Sequence, residues 1–332
     1  MTKRVVLIGS PVSESLSLVL QQAAFDAAKL DVRYELWDRK PIELPDAIAA
    51  LTADDLLGAS VTIPHKERVV PMIDRLSEEA RDTGAVDTIT KESTRLIGHN
   101  TDVPAFRIAL DKLVGKQKMP RAAVVLGAGG GARAAVLGLI NESFQRIIVF
   151  NRHLHRAEGL VRYFSKMAAH MELRAMPWHE SVIEAELAKT NVLVNASNVG
   201  AVPEETPIPG ELIPPELLVL DLIYSIPQTR LLREAAAAGS ETMNGELMLL
   251  HQSAAAFTLW TGQQAPLQLM QERLDEARPR KAPATKASEE ADATGETLGH
   301  EAAGAPDSEA GADHASGEAA GRSAEAEVSS RA

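Results

Sequence analysis

The sequence predicts an α/β protein of two domains, and three observations carry that prediction. Short aliphatic runs alternate with helix-length segments over the first hundred residues, the order that yields a mainly parallel sheet covered by helices. A further run, Val124-Val-Leu, feeds the turn Gly127-Ala-Gly129-Gly130-Gly131-Ala and then an Ala-rich segment, the strand–turn–helix order of a Rossmann-type nucleotide domain. Beyond Gly239, two apolar-faced segments follow with no strand between them. They are expected to return as helices to the first domain, leaving a cleft between the two.

The elements follow in order. Val5–Ile8 reads as a strand that stops at Gly9-Ser10-Pro11, Leu16 to Leu30 as a helix, and Val32–Trp37 as a second strand. Residues 43–57 supply a short helix, Ser60–Ile63 a strand and Glu67–Arg81 another helix. Ala85–Thr90 and Arg95–Ile97 read as a hairpin around polar Lys91-Glu-Ser-Thr, and 102–114 as a linking helix. The nucleotide domain begins near Arg121 and continues through Arg146–Phe150, Val192–Asn195 and Leu217–Leu222, with helices at 131–141, 155–169 and 228–238. Glu246–Trp260 and Ala265–Glu276 are the two returning helices.

Each glycine of the turn has its own physical role. One permits the tight turn, one lets the backbone approach a pyrophosphate, and one lets helix and strand pack closely. The amides at the helix start then face the anion, and the helix dipole favours it. The next strand ends in Phe150-Asn151-Arg152, a cation about 20 residues past the glycines where an NAD-preferring domain carries an acid. That placement points to a nucleotide with a 2′-phosphate.

Composition narrows the classes. The 332 residues carry a net charge of −12, which argues against nucleic-acid binding. There is no cysteine, so disulfides and thiolate chemistry are excluded, and no spacing reads as a metal site. Residues 281–332 hold 11 Asp or Glu against 4 Lys or Arg, with no aromatic side chain. A segment of that kind does not bury enough apolar surface to offset its ordering entropy, so a disordered acidic tail is expected over 278–332. The first strand starts directly after Lys3, with no room for a leader, and a cytoplasmic, membrane-free protein is expected.

Two polar clusters at element boundaries carry candidate chemistry. Ser60-Val-Thr62-Ile-Pro64-His65-Lys66 ends a strand in a proline turn that releases one lysine, and Gly98-His99-Asn100-Thr101-Asp102 ends the hairpin. A lysine beside a carboxylate in a closed cleft passes a proton to or from a hydroxyl, and burial is expected to push its pKa down. The residues alone also allow a solvated Lys66 and an Asp102 that only caps a helix. His65 and His99 read as packing or local hydrogen-bonding residues rather than metal ligands.

Taken together, residues 5–277 resemble the shikimate dehydrogenase family, including its quinate-using relatives. The resemblance is carried by Gly9-Ser-Pro11-Val-Ser-Glu-Ser15-Leu-Ser17, Val61-Thr62-Ile-Pro64-His65-Lys66, Asn100-Thr101-Asp102, Gly127 to Gly130, Asn151-Arg152-His153 with Arg156, Asp221-Leu-Ile-Tyr224, and Asn244-Gly245 through Gln252 to Trp260-Thr-Gly262. It implies NADP-dependent, reversible reduction of 3-dehydroshikimate to shikimate, with NAD a weaker alternative and no metal. Lys66 and Asp102 are then the catalytic pair. Lys66 donates the proton to the forming alkoxide, or stabilises that charge while a neighbour donates. Ser15, Ser17, Ser60, Thr62, Asp87, Tyr224 and Gln252 stand on the substrate side. On the cofactor side the resemblance points to Gly127, Ala128, Gly129, Gly130, Gly131 and Ala132 of the turn. Asn151, Arg152, His153 and Arg156 form the phosphate clamp, with Asn195, Ser197 and Gly245 on neighbouring loops. It divides the chain into a substrate domain (1–102), an NADP domain with the linking helix (103–243) and C-terminal helices (244–277). The partner is a small cyclic hydroxy acid, and the chain is a monomer or a homodimer.

Departures concentrate on the substrate side. Ser60 and Asp87 stand where the family has asparagine, Val103-Pro104-Ala105 replaces its G-x-G, and Ala201 replaces a methionine after Gly200. An ionised aspartate only accepts hydrogen bonds, so Asp87 suits a ligand with an extra hydroxyl donor or an amine. Val103 is expected to reshape the cleft floor beside Asp102. These positions leave open the same chemistry on quinate or an aminoshikimate-like acid, and a nucleotide-binding metabolite sensor without useful turnover.

Overall fold

Two six-stranded sheets form the structure, and strand alternation decides what each buries. The computed structural model describes residues 1–118 and 121–278, all within one compact unit. The acidic tail lies outside the described residues from 279 onward.

The first sheet contains β1 (Lys3–Gly9), β2 (Val32–Asp38), β3 (Leu56–Val61), β4 (Arg75–Leu76), β5 (Thr88–Glu92) and β6 (Arg95–His99), in the order β2-β1-β3-β5-β6-β4. Strand β1 runs parallel to β2 and β3, and β5 is antiparallel to both β3 and β6. Between these strands lie α1 (Ser17–Ala27), α2 (Leu44–Ala50) and α3 (Glu78–Thr83), and after β6 comes α4 (Asp102–Val114). Along β1 the faces alternate: Val6 and Ile8 join Leu44, Ile48 and Ile89 in one core, whereas Val5 and Leu7 join Leu20 and Phe25 in another. Both faces are covered, so these strands read as continuous apolar runs.

The second sheet contains β7 (Ala122–Leu126), β8 (Arg146–Phe150), β9 (Glu172–Met176), β10 (Val192–Asn195), β11 (Leu218–Asp221) and β12 (Glu241–Met243). Every pairing is parallel, in the order β12-β11-β10-β7-β8-β9. This is the doubly wound order, which reverses direction between β7 and β10 and opens a crevice at their carboxyl ends. Its helices are α5 (Gly130–Asn141), α6 (Leu154–Phe164), α7 (Glu180–Leu187) and α8 (Arg230–Ala237). Ala123 and Val125 of β7 face the core shared with α4 and α5, and Val124 and Leu126 face the core shared with α7 and α8.

Helices α9 (Glu246–Thr261) and α10 (Leu267–Ala277) return to the first sheet. Their Leu249, Leu250, Phe257, Met270 and Leu274 close over Val5, Leu7, Leu20 and Phe25. Two hydrogen bonds fix the docking: Gln21 Nε2 donates to Ser253 O (2.9 Å) and Trp260 Nε1 to Ile89 O (2.9 Å). The α/β class, the nucleotide sheet and the returning helices are as the sequence predicts.

The expected helix over Glu67–Arg81 does not form. Pro71 lacks an amide hydrogen and interrupts the segment after one 3-10 turn, Val70–Met72. Asp74 Oδ2 then accepts from Leu96 N (2.7 Å), drawing the chain to the sheet edge, where β4 pairs with β6. Only at Ser77, whose Oγ accepts from Ala80 N (3.2 Å), does helix α3 start. Helix α2 stops at Ala50 and β3 begins at Leu56, ahead of the expected Ser60. Strands β4, β9 and β12 and helix α7 are additions; β9 carries Glu172 and Arg174 and so lacks the apolar run that marks the others.

No helix among the described residues is long and apolar enough to cross a membrane. Among them no group of three or more His, Asp or Glu is placed to hold a metal.

Candidate active site

The carboxyl ends of β1 and β3 are brought together by Gly9. A Cβ there would stand 2.3 Å from Thr62 Cγ2 and 2.8 Å from Val12 Cγ1, so only glycine allows this approach. Ser10 N donates to Ile63 O (2.9 Å), locking the two loops. The β1 loop then turns through Val12 to Ser15, whose Oγ accepts from Ser17 N (3.3 Å) at the start of α1. Thr62 and the serine pair therefore share one edge of the sheet. Ser60 is buried on β3, next to Thr88 of β5 across the ladder.

Because β5 is antiparallel, the residue before it, Asp87, lies at the same edge as the ends of β3 and β6. Val61 N donates to Asp87 O (2.7 Å), and Asp87 N to His99 O (3.1 Å). Three charged side chains meet there: Lys66 from the turn after β3, Asp87, and Asp102, the first residue of α4. Lys66 Nζ donates to Asp102 Oδ2 in a direct ion pair, and their side chains are 17% and 5% exposed, so neither is a solvated surface charge. His65 is buried beside it, and its Nε2 donates to Arg39 O (2.6 Å); His99 shares a hydrogen bond with Thr90 Oγ1 (2.9 Å). Both histidines hold local structure.

Burial pushes the Asp102 carboxyl up to about 6, and the Asp87 charge adds to that, against the pull of Lys66. Burial alone lowers the Lys66 ammonium, as the sequence suggested. Asp102 and Asp87 more than offset it, and the net direction is upward. Lys66 is therefore charged at neutral pH. That corrects the expectation of a depressed lysine.

The glycine turn is shaped for close backbone approach. Gly127 has φ +115°, and a Cβ on it would stand 2.8 Å from Ala196 O at the end of β10. Gly129 precedes α5 with no side-chain cap, and a Cβ on it would find only Glu67 Oε1, at 4.0 Å. The uncapped amides at the start of α5 and the open face over Gly129 fit a dinucleotide's diphosphate, whereas Gly131 lies against Leu222 and the Ala132 side chain is buried in the core. Ala128 is buried beneath the turn. Asn151 Nδ2 donates to His153 O (2.9 Å), which folds the end of β8 into a tight corner. Arg152 and His153 are exposed there, with His153 and His155 rings 5.9 Å apart.

Asn195 and Ser197 turn inward. Asn195 Oδ1 accepts from Ser197 N (3.1 Å) and Ser197 Oγ (2.7 Å), and its Nδ2 donates to Val199 O (3.1 Å) and Asp221 Oδ1 (3.0 Å). They shape the loop beside Gly127 rather than offering free side-chain groups. Gly245 is a contact glycine: a Cβ on it would stand 2.2 Å from Leu222 O, and its amide donates to Ile223 O (2.9 Å). That contact holds the loop after β11, from which Tyr224 reaches the core of the first sheet and comes within electrostatic reach of Lys66. Gln252 Nε2 donates to Leu249 O (3.1 Å) and Ser253 Oγ (2.8 Å) on α9.

Two other expectations change. Val103 is buried in the core of the second sheet, so its bulk does not enter the cleft; Pro104 is exposed in the first turn of α4, where its missing amide hydrogen is no loss. Asp87 is closed to ligands of the kind expected, since both its oxygens accept from within the chain. The sequence reading also missed Glu67, Arg133 and Tyr163. Glu67 pairs with Arg133 (3.2 Å) and Arg156 (3.7 Å), Arg133 Nη1 donates to Thr83 O (2.9 Å), and its guanidinium lies over the Tyr163 ring (4.6 Å). The only signal was position: Glu67 follows Lys66, and Arg133 follows the glycine turn.

A mixed sheet carrying a lysine–carboxylate pair, joined to a doubly wound sheet with a glycine turn, defines a two-domain oxidoreductase of the nicotinamide-dependent class. Residues 7–89 match the family described as shikimate dehydrogenase substrate binding domain, 109–208 match shikimate/quinate 5-dehydrogenase, and 245–274 match the shikimate 5'-dehydrogenase C-terminal domain. A shikimate dehydrogenase (NADP(+)) of Desulforamulus reducens is 36% identical over 80% of this chain and 91% of its own length. One of Symbiobacterium thermophilum is 38% identical, over 80% and 90%. The crystal structure of shikimate 5-dehydrogenase from Thermus thermophilus in complex with NADP(H) and shikimate superposes with a TM-score of 0.72 at 36% identity, covering 83% of this chain and 99% of that one. The chain belongs to the shikimate dehydrogenase family.

Proposed function

We propose that this chain is an NADP-dependent oxidoreductase that interconverts 3-dehydroshikimate and shikimate. The observation that carries the proposal is the buried Lys66–Asp102 pair at the carboxyl edge of the first sheet, with the Lys66 side chain packed on Gly130 of the glycine turn. Lys66 thus stands where the edge of the first sheet meets the glycine turn, which supports reading it as the proton donor. When bound, the nicotinamide supplies the hydride. Lys66 gives a proton to the oxygen of the reduced carbonyl, and Asp102 keeps the ammonium oriented and charged. In the oxidative direction the neutral amine, its proton first released to solvent, receives the proton from the substrate hydroxyl.

Ser15, Ser17, Ser60, Thr62, Tyr224 and Gln252 are assigned to the cyclic hydroxy acid. Ser15, Ser17, Ser60 and Thr62 bring hydroxyls suited to a carboxylate and ring hydroxyls. Arg152 and Arg156 take the 2′-phosphate, for which a planar guanidinium is well matched. The assignment divides the chain into residues 1–102 for substrate, 103–243 for NADP and 244–277 as helices bracing the former. The same proposal places the protein in the cytoplasm, in keeping with its cysteine-free sequence, as a monomer or homodimer that sedimentation of the full chain distinguishes.

The test is initial rates of shikimate and quinate oxidation, each with NADP and NAD. Shikimate with NADP is expected to give the highest kcat/KM. A higher value for quinate overturns the substrate assignment, and one for NAD the cofactor assignment.

A further inference from the structure

Asp87 sits at the centre of a closed set of hydrogen bonds from its own chain. The side chain is 2% exposed. Oδ1 accepts from Thr88 Oγ1 (2.8 Å), Thr101 Oγ1 (2.7 Å) and Thr101 N (2.9 Å); Oδ2 accepts from Thr101 N (2.8 Å) and Asp102 N (2.9 Å). Four donors therefore fill the roughly four lone-pair sites of one carboxylate. An asparagine serves the set in only one of its two orientations. With its NH2 in the place of Oδ2, it meets the amides of Thr101 and Asp102 donor to donor. With the NH2 in the place of Oδ1, both threonine hydroxyls must turn to accept.

We propose that Asp87 is a positioning residue for the proton-transfer pair and not a ligand of the substrate. It anchors the Thr101–Asp102 turn that opens α4 and so holds the Asp102 carboxylate against Lys66. The inference rests on the Lys66–Asp102 assignment above. Asp87 also places a second negative charge behind Asp102, so that two carboxylates face one ammonium. That arrangement favours the protonated form of each member of the pair.

The groups that face the pair are few. Lys66 comes from the turn after β3, Asp87 from the start of β5, Asp102 from α4 and Tyr224 from the loop after β11. His65 is turned to Arg39, His99 to Thr90, and Glu67 to Arg133 and Arg156. Asp87 is therefore the carboxylate, other than Asp102 itself, whose removal bears most directly on the pair's titration.

The experiment compares wild type with Asp87→Asn by two readouts. The first is NMR titration of the Asp102 carboxyl carbon and the Lys66 side chain in the cofactor-free protein; the second is the split between kcat and KM for shikimate. Both midpoints are expected to move to lower pH in Asp87→Asn, with kcat down at least about tenfold and KM within about twofold of wild type. Unmoved midpoints, or a KM raised about tenfold with kcat kept, overturn the proposal, the latter making Asp87 a substrate ligand. The titration needs no turnover, so absent shikimate oxidation by the wild type sinks the functional reading and leaves this one to its own result. Should Asp87→Asn fail to fold, Thr101→Val keeps the charge and removes one donor. It is expected to lower kcat several-fold with the midpoints held, and an unchanged kcat overturns the proposal.

Discussion

The side chain of Lys66 packs on the backbone of Gly130: a Cβ added to that glycine would stand 2.7 Å from Lys66 Cβ and 3.0 Å from Cδ. The contact joins the turn after β3 to the first turn of α5, so Lys66 and the amides of the glycine turn are held by one another. Substituting Gly130→Ala forces the lysine stem aside at its least flexible atom. We expect kcat for shikimate to fall by about tenfold or more, since displacements near an ångström cost on the order of 10²-fold. Gly159→Ala is the contrast, because α6 offers that Cβ open space. It should leave kcat unchanged and stabilise the fold by about 0.5–1 kcal/mol in denaturant unfolding.

The ionisation of Asp102 sets an acid limb. With its carboxyl pushed up to about 6 by burial and by Asp87, protonation below that pH removes the charge that holds Lys66. A kcat/KM profile for shikimate oxidation should fall as pH drops through about 6. Asp102→Asn should lose that limb along with most of its activity. A profile flat from pH 5 to 7 in the wild type contradicts the assignment.

Cofactor choice follows from which arginine is shared. Arg156 lies 3.7 Å from Glu67, whereas Arg152 forms no ion pair among the described residues. Arg152→Ala should weaken NADP relative to NAD by about tenfold or more, the loss of one charged hydrogen-bonding partner. Arg156→Ala should cost less. Nucleotide dissociation constants from fluorescence titration test the ranking, and equal losses contradict it.

Much of this was legible beforehand because it rests on local rules. Period-2 burial on both faces made the strands of the second sheet plain runs such as Ala122–Leu126, and the glycine turn followed from the backbone conformation it requires. The Lys66–Asp102 pairing was legible through the family resemblance of the two motifs, and the strand ends bring them together. Less legible were features decided by distant partners. Residues 67–81 read as one helix because the Asp74 bond from Leu96 N that fixes the break lies across the sheet edge. The upward shift of Lys66 depends on two carboxylates that sequence places 21 and 36 residues away. Asp87 looked like a changed ligand because nothing local reveals that the start of α4 saturates it.

A buried acid in the second sheet makes a stability prediction. Asp221 is fully buried and holds Asn195, Ile223 N and Thr229, and burial pushes its carboxyl up to about 6. A raised acid stabilises the fold while protonated. That contribution is complete below the unfolded-chain pKa of about 4 and is lost as pH rises through about 6, to a limit of about 3 kcal/mol for a two-unit shift. Asp221→Asn should therefore show a weaker decline of unfolding free energy between pH 4 and 7 than wild type. Equal slopes contradict the buried ionisation.

The proposed mechanism makes Lys66 the carrier of the proton in an NADP-dependent oxidation of shikimate. The decisive measurement is steady-state kcat/KM for shikimate with NADP, taken side by side for wild type and Lys66→Ala. A wild type that turns over, and a variant reduced by about 10²–10⁴-fold with NADP binding kept, is the expected result. Turnover by Lys66→Ala within about twofold of wild type would remove Lys66 from the proton transfer and the mechanism with it.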